Sequence, residues 1–394
     1  MSNSKRSRAL RRTRSRSAFI GAAVVLALAI IGCGPTTTAK PSAAPTASPS
    51  ASTLPTAVPK ATPRIGKFQA SALMNGNRSF ATATLLNDGR VLIAGGVAYG
   101  LPVATAEIFD PATGAFALTG SMTEARARHT ASLLPNGKVL IAGGNGNGTA
   151  EVYSPSTGKF TRTNPMKDSA IYQTAIMLRD GRVLLAGGRI GDVYTSNAQI
   201  YKVATGKFSR ARSLKDPREH ADATLLQDGR VLISGGDQGD SGKNAVILAS
   251  AVIFNPTTGY FTRTASMADA RSHFTATLLA NDKVLVVGGI NRASNMGLLA
   301  TAELYDPVTG KWSRTGSMTF GRSDFAATLL ADGRVLVAGG GDNSAELYDP
   351  ATGNFVPAGK MVMARLAQTA TPLEDTRVLI AGGNDATLAE LYSP

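Results

Sequence analysis

Short runs of apolar residues, separated by turn residues, recur along the chain from about residue 64 to the C-terminus. The clearest stretch runs from Arg322 to Gly353, where FAATLL and VLVA flank Asp332-Gly333. Asp-Gly between two such runs predicts a tight hairpin, because a type I′ turn needs a positive φ at both central positions. A Gly-Gly pair and a third run, AELYD, follow. This stretch therefore predicts three short antiparallel strands.

The same pattern occurs seven times with nearly constant spacing. The Gly-Gly pairs have an average period near 48 residues and begin at Gly95, Gly143, Gly187, Gly235, Gly288, Gly339 and Gly382. Seventeen residues before each pair stands an arginine, or Ala170 in the third copy. In the first six copies, an aromatic residue ten positions after the alanine that opens the third strand marks a fourth strand. Four short strands in a period of 40 to 50 residues predict a β-propeller.

The two ends of the repeat region are complementary. The last copy stops after its third strand, whereas Ile65-Gly66-Lys67-Phe68 has the pattern of a fourth strand. We therefore predict an all-β fold over residues 64–394, a seven-bladed propeller whose ring is closed by the N-terminal strand in residues 64–74. The blades are expected at about 78–122, 126–166, 170–214, 218–267, 271–318, 322–361 and 365–394.

The repeated motif resembles that of the kelch family. It combines R-x-H-x-A-x-x-L, D-G-R-V-L-x-x-G-G and A-E-x-Y-D-P-x-T-G-x-W over about Arg64 to Pro394. The third copy departs most, with Ala170 in place of arginine and Lys202-Val203 in place of Asp-Pro. The resemblance implies the propeller of the central domain of galactose oxidase.

The first 63 residues have a different composition. Seven basic residues precede position 33 without an acid, and the 14-residue apolar run that follows them is too short for a stable membrane span. The run ends in Ile30-Ile31-Gly32-Cys33, which resembles a bacterial lipobox and implies cleavage before Cys33 and lipidation of that residue. We predict a signal peptide over residues 1–32 and a lipidated cysteine with a disordered Pro/Thr/Ala/Ser tether over residues 33–63. An ordinary secretory signal with an unmodified cysteine is the alternative.

The net charge of +14 is concentrated in this leader. Without its seven basic residues the chain has 34 basic and 27 acidic residues, an excess of seven. Such a modest excess over a long surface does not indicate a nucleic-acid partner. Since Cys33 is the only cysteine, internal disulfides and cysteine-based metal sites are excluded, and so is the copper-radical chemistry of galactose oxidase, which needs a cysteine cross-linked to a tyrosine. We expect a monomer without a cofactor.

Only one spacing varies between the copies. The gap from the Gly-Gly pair to the third strand is 9, 5, 9, 14, 12, 4 and 5 residues. In an antiparallel meander this loop shares one face, here called the upper face, with the links between blades. Loops that vary on a constant scaffold usually carry binding specificity. We therefore place the functional surface on the upper face, with Val97–Thr105, Asp237–Ser250 and Ile290–Thr301 as its longest loops.

Polar residues of the upper face are the candidate ligand-binding residues. The arginines that open the blades favour anionic or carboxylate ligands, although arginine here also belongs to the kelch pattern and can brace loop carbonyls. The candidates are Arg78, Arg126, Arg218, Arg271, Arg322, Arg365, His220, His273, Tyr99, Asp237, Asp240, Asn291 and Arg292. The third histidine, His129, is displaced by one position and is expected to face the other way, so no metal site is predicted.

These features favour a non-catalytic, extracytoplasmic binding module that is anchored to a bacterial envelope only through its N-terminal lipid. Its expected ligand is a protein or a glycan. The alternative comes from the resemblance: a carbohydrate-active enzyme, similar to kelch-type sialic-acid mutarotases, that uses the same upper-face pocket. No catalytic residue is assigned.

Overall fold

A computed structural model of the chain describes residues 65–239, 245–291, 297–384 and 386–394. These residues form seven four-stranded antiparallel sheets and three two-stranded hairpins. Across the described ranges, no helix has the length and apolarity needed to span a membrane. The sheets are the blades of a seven-bladed β-propeller, which confirms the predicted fold class. The expected signal peptide, Cys33 and the tether lie outside the described residues.

Each blade runs from a first strand near the axis to a fourth strand at the periphery. The first strands of blades 1 to 7 are Thr82–Leu85, Thr130–Leu133, Thr174–Met177, Asp222–Leu225, Thr275–Leu278, Ala326–Leu329 and Thr369–Pro372. The second strands are Val91–Ala94, Val139–Ala142, Arg182–Ala186, Val231–Ser234, Val284–Val287, Val335–Ala338 and Val378–Ala381. The third strands are Ala106–Asp110, Ala150–Ser154, Ala198–Lys202, Ala251–Asn255, Ala302–Asp306, Ser344–Asp349 and Leu388–Ser393. The fourth strands are Ala115–Leu118, Lys159–Arg162, Lys207–Arg210, Tyr260–Arg263, Lys311–Arg314, Asn354–Lys360 and, for blade 7, Lys67–Leu73.

Three of the variable loops contain a short hairpin on the upper face. Their strand pairs are Val97–Ala98 with Leu101–Pro102, Arg189–Ile190 with Val193–Tyr194, and Asp237–Gln238 with Val246–Ile247. The hairpins thus extend the loops of blades 1, 3 and 4.

The second strand of every blade lies at the centre of the core. Its aliphatic residues are buried in all seven blades, as expected of a strand covered on both faces. Apolar side chains also pack between blades: Ile108 and Met122 of blade 1 share one cluster with Ile141 and Tyr153 of blade 2. Each blade therefore needs its neighbours to bury its apolar surface.

The Gly-Gly pair joins each blade to the next. In all seven blades the amide of the second glycine donates to the carbonyl of the residue that opens the following blade, as from Gly96 to Arg126 at 2.9 Å. Gly383 donates to Arg78 at 2.9 Å and so links the last blade to the first. The first position of the pair has no room for a side chain, because a Cβ at Gly143 would lie 2.5 Å from the Ala170 carbonyl oxygen. Gly143 also has a φ of 73°, which favours glycine.

The N-terminal strand completes blade 7. Lys67–Leu73 pairs with Leu388–Ser393, with Phe68 opposite Tyr392, and the two rings are 4.8 Å apart. Met74 is buried, and its amide donates to the Thr387 carbonyl at 2.8 Å. The predicted closure of the ring by the N-terminal strand is confirmed.

Candidate functional site

The six arginines that open the blades lie inside the blades and not at the mouth of the propeller. Arg78, Arg126, Arg218, Arg271, Arg322 and Arg365 are at most 2% exposed. In blade 2, Arg126 Nη1 donates to the carbonyls of Gly143 and Thr149 at 2.8 and 3.0 Å, and Nη2 donates to Glu151 at 2.9 Å. These contacts brace the variable loop against its own blade. The predicted ligand-binding role of the six arginines is therefore corrected, because burial and internal acceptors remove them from the upper surface.

Blades 3 and 4 lack part of this arrangement. Blade 3 has Ala170 and Gln199 at the two positions, so both charges are absent. Blade 4 keeps Arg218 but has Val252 in place of the glutamate. Burial lowers the pKa of Arg218 to about 10, and the charge of Asp216, 3.8 Å away, offsets only part of that effect.

A ring of seven residues surrounds the axial mouth on the upper face. We call it the axial ring; its members follow the blade-opening residue by two positions and are Phe80, Arg128, Tyr172, His220, His273, Asp324 and Ala367. All seven have a positive φ, between 49° and 57°, which costs a residue other than glycine about 1–2 kcal/mol. At five positions the amide donates to the carbonyl of the ring residue in the preceding blade, as from Ala367 to Asp324 at 2.7 Å. The backbone thus holds seven different side chains in equivalent positions.

Arg128 lies between two aromatic members of the axial ring. Its guanidinium carbon is 4.3 Å from the centroid of Phe80 and 5.1 Å from that of Tyr172. Within the described part of the chain its guanidinium donates to no acceptor, and its Nε is buried without a partner. The aromatic faces stabilise the cation, and the donors that bind carboxylates remain available to a ligand.

The next members of the ring form a stack that ends on a carboxylate. The His220 ring lies 4.1 Å from Tyr172 and 3.7 Å from His273. His273 Nδ1 is 2.9 Å from Asp324 Oδ1. Burial alone lowers the pKa of His273, but the hydrogen bond and charge of Asp324 outweigh burial and raise it overall. The small side chain of Ala367 follows, where the ring borders a depression of about 270 Å³.

His220 also contacts the base of the blade 4 hairpin. Its Nδ1 lies 3.0 Å from Asp237 Oδ1, and Tyr194 donates to Asp237 Oδ2 at 3.3 Å. Beside them, Glu219 accepts from Arg189 at 3.2 Å, and burial raises the pKa of Glu219. The candidates His220, His273 and Asp237 are thus brought together at one side of the mouth.

Asp222 lines the same depression. Its carboxylate accepts from the Ala276 amide at 2.8 Å. Burial raises the pKa of Asp222 to about 6, so this carboxyl group can both accept and donate a proton at a pH close to neutral.

The other candidates are separate from the mouth or outside the described residues. Tyr99 is 85% exposed at the tip of the blade 1 hairpin, and the Asn291 amide donates to Gly297 at 2.6 Å. Asp240 and Arg292 fall outside the described residues. A second upper-face groove of about 730 Å³ lies between the loops of blades 1 to 3. Clefts of 320 to 400 Å³ on the opposite face lie among the Asp-Gly and Asn-Gly turns and belong to the repeated frame.

Sequence reasoning missed Phe80, Arg128, Tyr172, Asp222 and Asp324. Four of them belong to the axial ring, and their signal was present in the repeats. The position two residues after each blade opening has constant spacing but changes its side chain in almost every copy. A position that is constant in the backbone and variable in chemistry is typical of a binding surface on a repeat scaffold.

His129 faces away from the other two histidines, as expected. It is buried, and its Nε2 lies 3.0 Å from Thr82 Oγ1. Burial, followed by the charge of Arg126, lowers the pKa of His129 to about 3. In blade 7 the equivalent residue is Gln368, which donates to the Ala338 carbonyl at 2.7 Å.

We predict that His129 makes the propeller less stable in acid. In the unfolded chain the His129 imidazole binds a proton near pH 6.5, whereas in the folded state it does so only near pH 3. Between these values the unfolded state binds more protons, so stability falls as pH falls, by about 1.4 kcal/mol per unit from this group. His129→Gln, which copies the Gln368 arrangement of blade 7, should remove this part of the slope in denaturant unfolding between pH 7 and 5. An unchanged slope in a folded variant would contradict the assignment.

Comparisons with known proteins agree with this architecture. The Kelch motif family model matches residues 271–319, which cover blade 5. A fungal alcohol oxidase of the AA5 family, solved in complex with copper, has a similar fold, with a TM-score of 0.69 and 17% sequence identity. The alignment covers 84% of this chain and 77% of that structure. No curated protein matches the sequence. The chain is therefore a seven-bladed β-propeller with a galactose oxidase-like fold and a Kelch motif in its fifth blade.

Proposed function

We propose that this protein is a non-catalytic binding module that takes a carboxylate-bearing group of a protein or glycan ligand at the axial mouth. The observation that carries the proposal is Arg128, whose guanidinium lies between Phe80 and Tyr172 without an acceptor in the described part of the chain. A planar guanidinium binds a carboxylate through two parallel hydrogen bonds. Its neighbours in the ring add aromatic faces and imidazole donors.

The size of the mouth limits the ligand. The depression beside Arg128 is lined by Phe80, on which the Arg128 guanidinium packs, and its volume of about 270 Å³ is smaller than that of most pockets that enclose whole small molecules. It accommodates one sugar ring or one acidic side chain of a larger ligand. The exposed hairpin tips, such as Tyr99 and Val193, would contact the rest of that ligand.

We predict that Arg128→Ala weakens the binding of acidic sugars at least tenfold. The probes are N-acetylneuraminic acid and glucuronic acid, with glucose as the neutral counterpart, and binding is followed by saturation-transfer NMR and calorimetry. A hydrogen bond to a charged group contributes about 1.5–3 kcal/mol, so its loss corresponds to at least a tenfold decrease in affinity. Arg128→Lys should lose most of the affinity as well, because lysine lacks the planar fork.

The matched control is Arg162→Ala, which removes an arginine of blade 2 that is 56% exposed on the fourth strand and pairs with Glu124. This variant should bind as the parent chain does. Equal affinity of the Arg128 and Arg162 variants, or equal affinity of the parent for glucose and glucuronic acid, would contradict the proposal.

The second candidate function is that of a carbohydrate-active enzyme in the same depression. The observation in its favour is Asp222, whose pKa of about 6 suits general acid–base catalysis near neutral pH. The same NMR samples distinguish the two functions. An enzyme would accelerate the exchange between the anomers of N-acetylneuraminic acid, and Asp222→Asn would abolish the acceleration while leaving binding measurable. Exchange at the uncatalysed rate would leave the binding module as the function.

We further propose that the module works outside the cytoplasmic membrane, anchored through a lipid on Cys33. The support is the basic start, the apolar run and the Ile30-Ile31-Gly32-Cys33 sequence. The parent chain should partition into the detergent phase of Triton X-114, and Cys33→Ala should shift it to the aqueous phase. Equal partitioning of both chains would overturn the lipid anchor.

A further inference from the structure

We propose that His220, Asp237 and His273 form a binding site for one divalent transition-metal ion, with Zn²⁺ as the best-suited ion. One ligand atom from each of the three residues lies within 4.8 Å of the others. His220 and His273 are the members of the axial ring in blades 4 and 5, and Asp237 lies at the base of the blade 4 hairpin. Only the folded propeller therefore brings the three residues together. This site goes beyond the proposed carboxylate binding and does not depend on it.

The donor set fits such an ion. Two imidazoles and one carboxylate are typical ligands of Zn²⁺, and three protein ligands leave a further coordination position for water or a ligand atom. His220 and His273 line the axial depression, so that open position would face the mouth. The set contains no sulfur ligand, which disfavours Cu⁺.

The surroundings of the three residues also fit a metal site. His273 Nδ1 lies 2.9 Å from Asp324, the arrangement in which a carboxylate orients a ligating imidazole and leaves Nε2 for the metal. Tyr194 donates to the second oxygen of Asp237 at 3.3 Å and fixes that carboxylate. His220 Nδ1 lies 3.0 Å from Asp237 Oδ1, a spacing at which the two atoms can bind the same ion.

The local charge favours a cation. Four carboxylates lie near the two imidazoles: Glu219, Asp222, Asp237 and Asp324. The guanidiniums of Arg128 and Arg189 oppose them, and that of Arg189 is already paired with Glu219 at 3.2 Å. A divalent ion would therefore compensate an excess of negative charge at the mouth. Because protons compete for the imidazoles, binding should weaken as the pH falls below neutral.

The test is a Zn²⁺ titration of the full chain after chelator treatment, without a histidine tag. A Cys33→Ala background removes the one thiol that also binds such ions. We expect one Zn²⁺ per chain, and at least tenfold weaker binding for each of His220→Ala, Asp237→Asn and His273→Ala. Asp324→Asn, which removes the carboxylate that orients His273, should weaken binding about tenfold. Visible absorption of bound Co²⁺ provides an independent readout of the ligand set.

Two features keep the test decisive. Alanine is compatible with the ring backbone, because Ala367 already occupies this position in blade 7 with a φ of 57°. Thermal melts of each variant serve as the check that it is folded. His129→Gln, which changes the histidine outside the cluster, should bind Zn²⁺ like the parent. The proposal is overturned if the parent binds no Zn²⁺, if the three ligand variants bind like the parent, or if His129→Gln loses as much affinity as they do.

Discussion

A chain that lacks residues 64–74 is expected to lose its cooperative folding transition altogether. These residues supply the fourth strand of blade 7, and without them Leu388–Ser393 becomes an unpaired edge. The deletion also removes Phe68 and Met74, whose contacts with the closing blade are each worth about 2 kcal/mol in apolar burial. Since domains are stable by only about 5–15 kcal/mol, the loss of a whole strand together with this burial removes most of that margin.

Circular-dichroism melts of the purified chains measure this effect. The control is a deletion of residues 41–60, which removes a longer stretch from the segment expected to form the tether. This control should melt like the parent chain. An unchanged melt for the chain without residues 64–74 would refute closure by the N-terminal strand.

Arg126→Ala should destabilise the propeller by about 3–5 kcal/mol, the usual effect of removing one partner from a buried ion pair. Both side chains of the Arg126–Glu151 pair are fully buried, and their closest atoms are 2.9 Å apart. After the substitution Glu151 would keep only the amide of Thr123, at 2.8 Å, as a donor in the described contacts. The Gly143 carbonyl would also lose its donor in the described contacts, and the Thr149 carbonyl would keep only the Gly143 amide, at 3.3 Å.

Blade 3 provides the matched control for this substitution. Ala170 and Gln199 occupy the equivalent positions there, and Gln199 accepts from the Lys167 amide at 2.9 Å. The double variant Arg126→Ala/Glu151→Gln copies this neutral arrangement, so it should recover much of the stability lost by the single variant. Urea unfolding of both variants measures the difference. A double variant less stable than Arg126→Ala would show that the buried charge of Glu151 is not the cause.

The proposed sites share the axial ring as their support. Arg128 at one side of the mouth lacks an acceptor in the described structure, and His220 with His273 stands at the other beside Asp237. The same backbone geometry presents both, so a change of side chain in one blade alters the chemistry of the mouth without altering the frame. This arrangement explains how one repeated scaffold can carry a specific site.

Much of the architecture followed from sequence, because each blade is specified locally. The Asp332-Gly333 turn, the Gly339-Gly340 pair and the spacing between them recur in register, so the strands, their order and the closing role of Phe68 could be predicted. Local pattern also gave the correct orientation of His129, which is displaced by one residue along an alternating strand.

The candidate site followed only in part, because it depends on contacts between blades. The sequence by itself determined a closed all-β ring, its constant face and its variable upper loops. It placed Arg126 near the upper face but could not show that the side chain turns inward to Glu151, since both orientations fit the same spacing. The tertiary structure alone decided that Arg128 lies between Phe80 and Tyr172, and that His220 stacks on His273, because residues 44 to 53 positions apart meet only when the blades close around one axis.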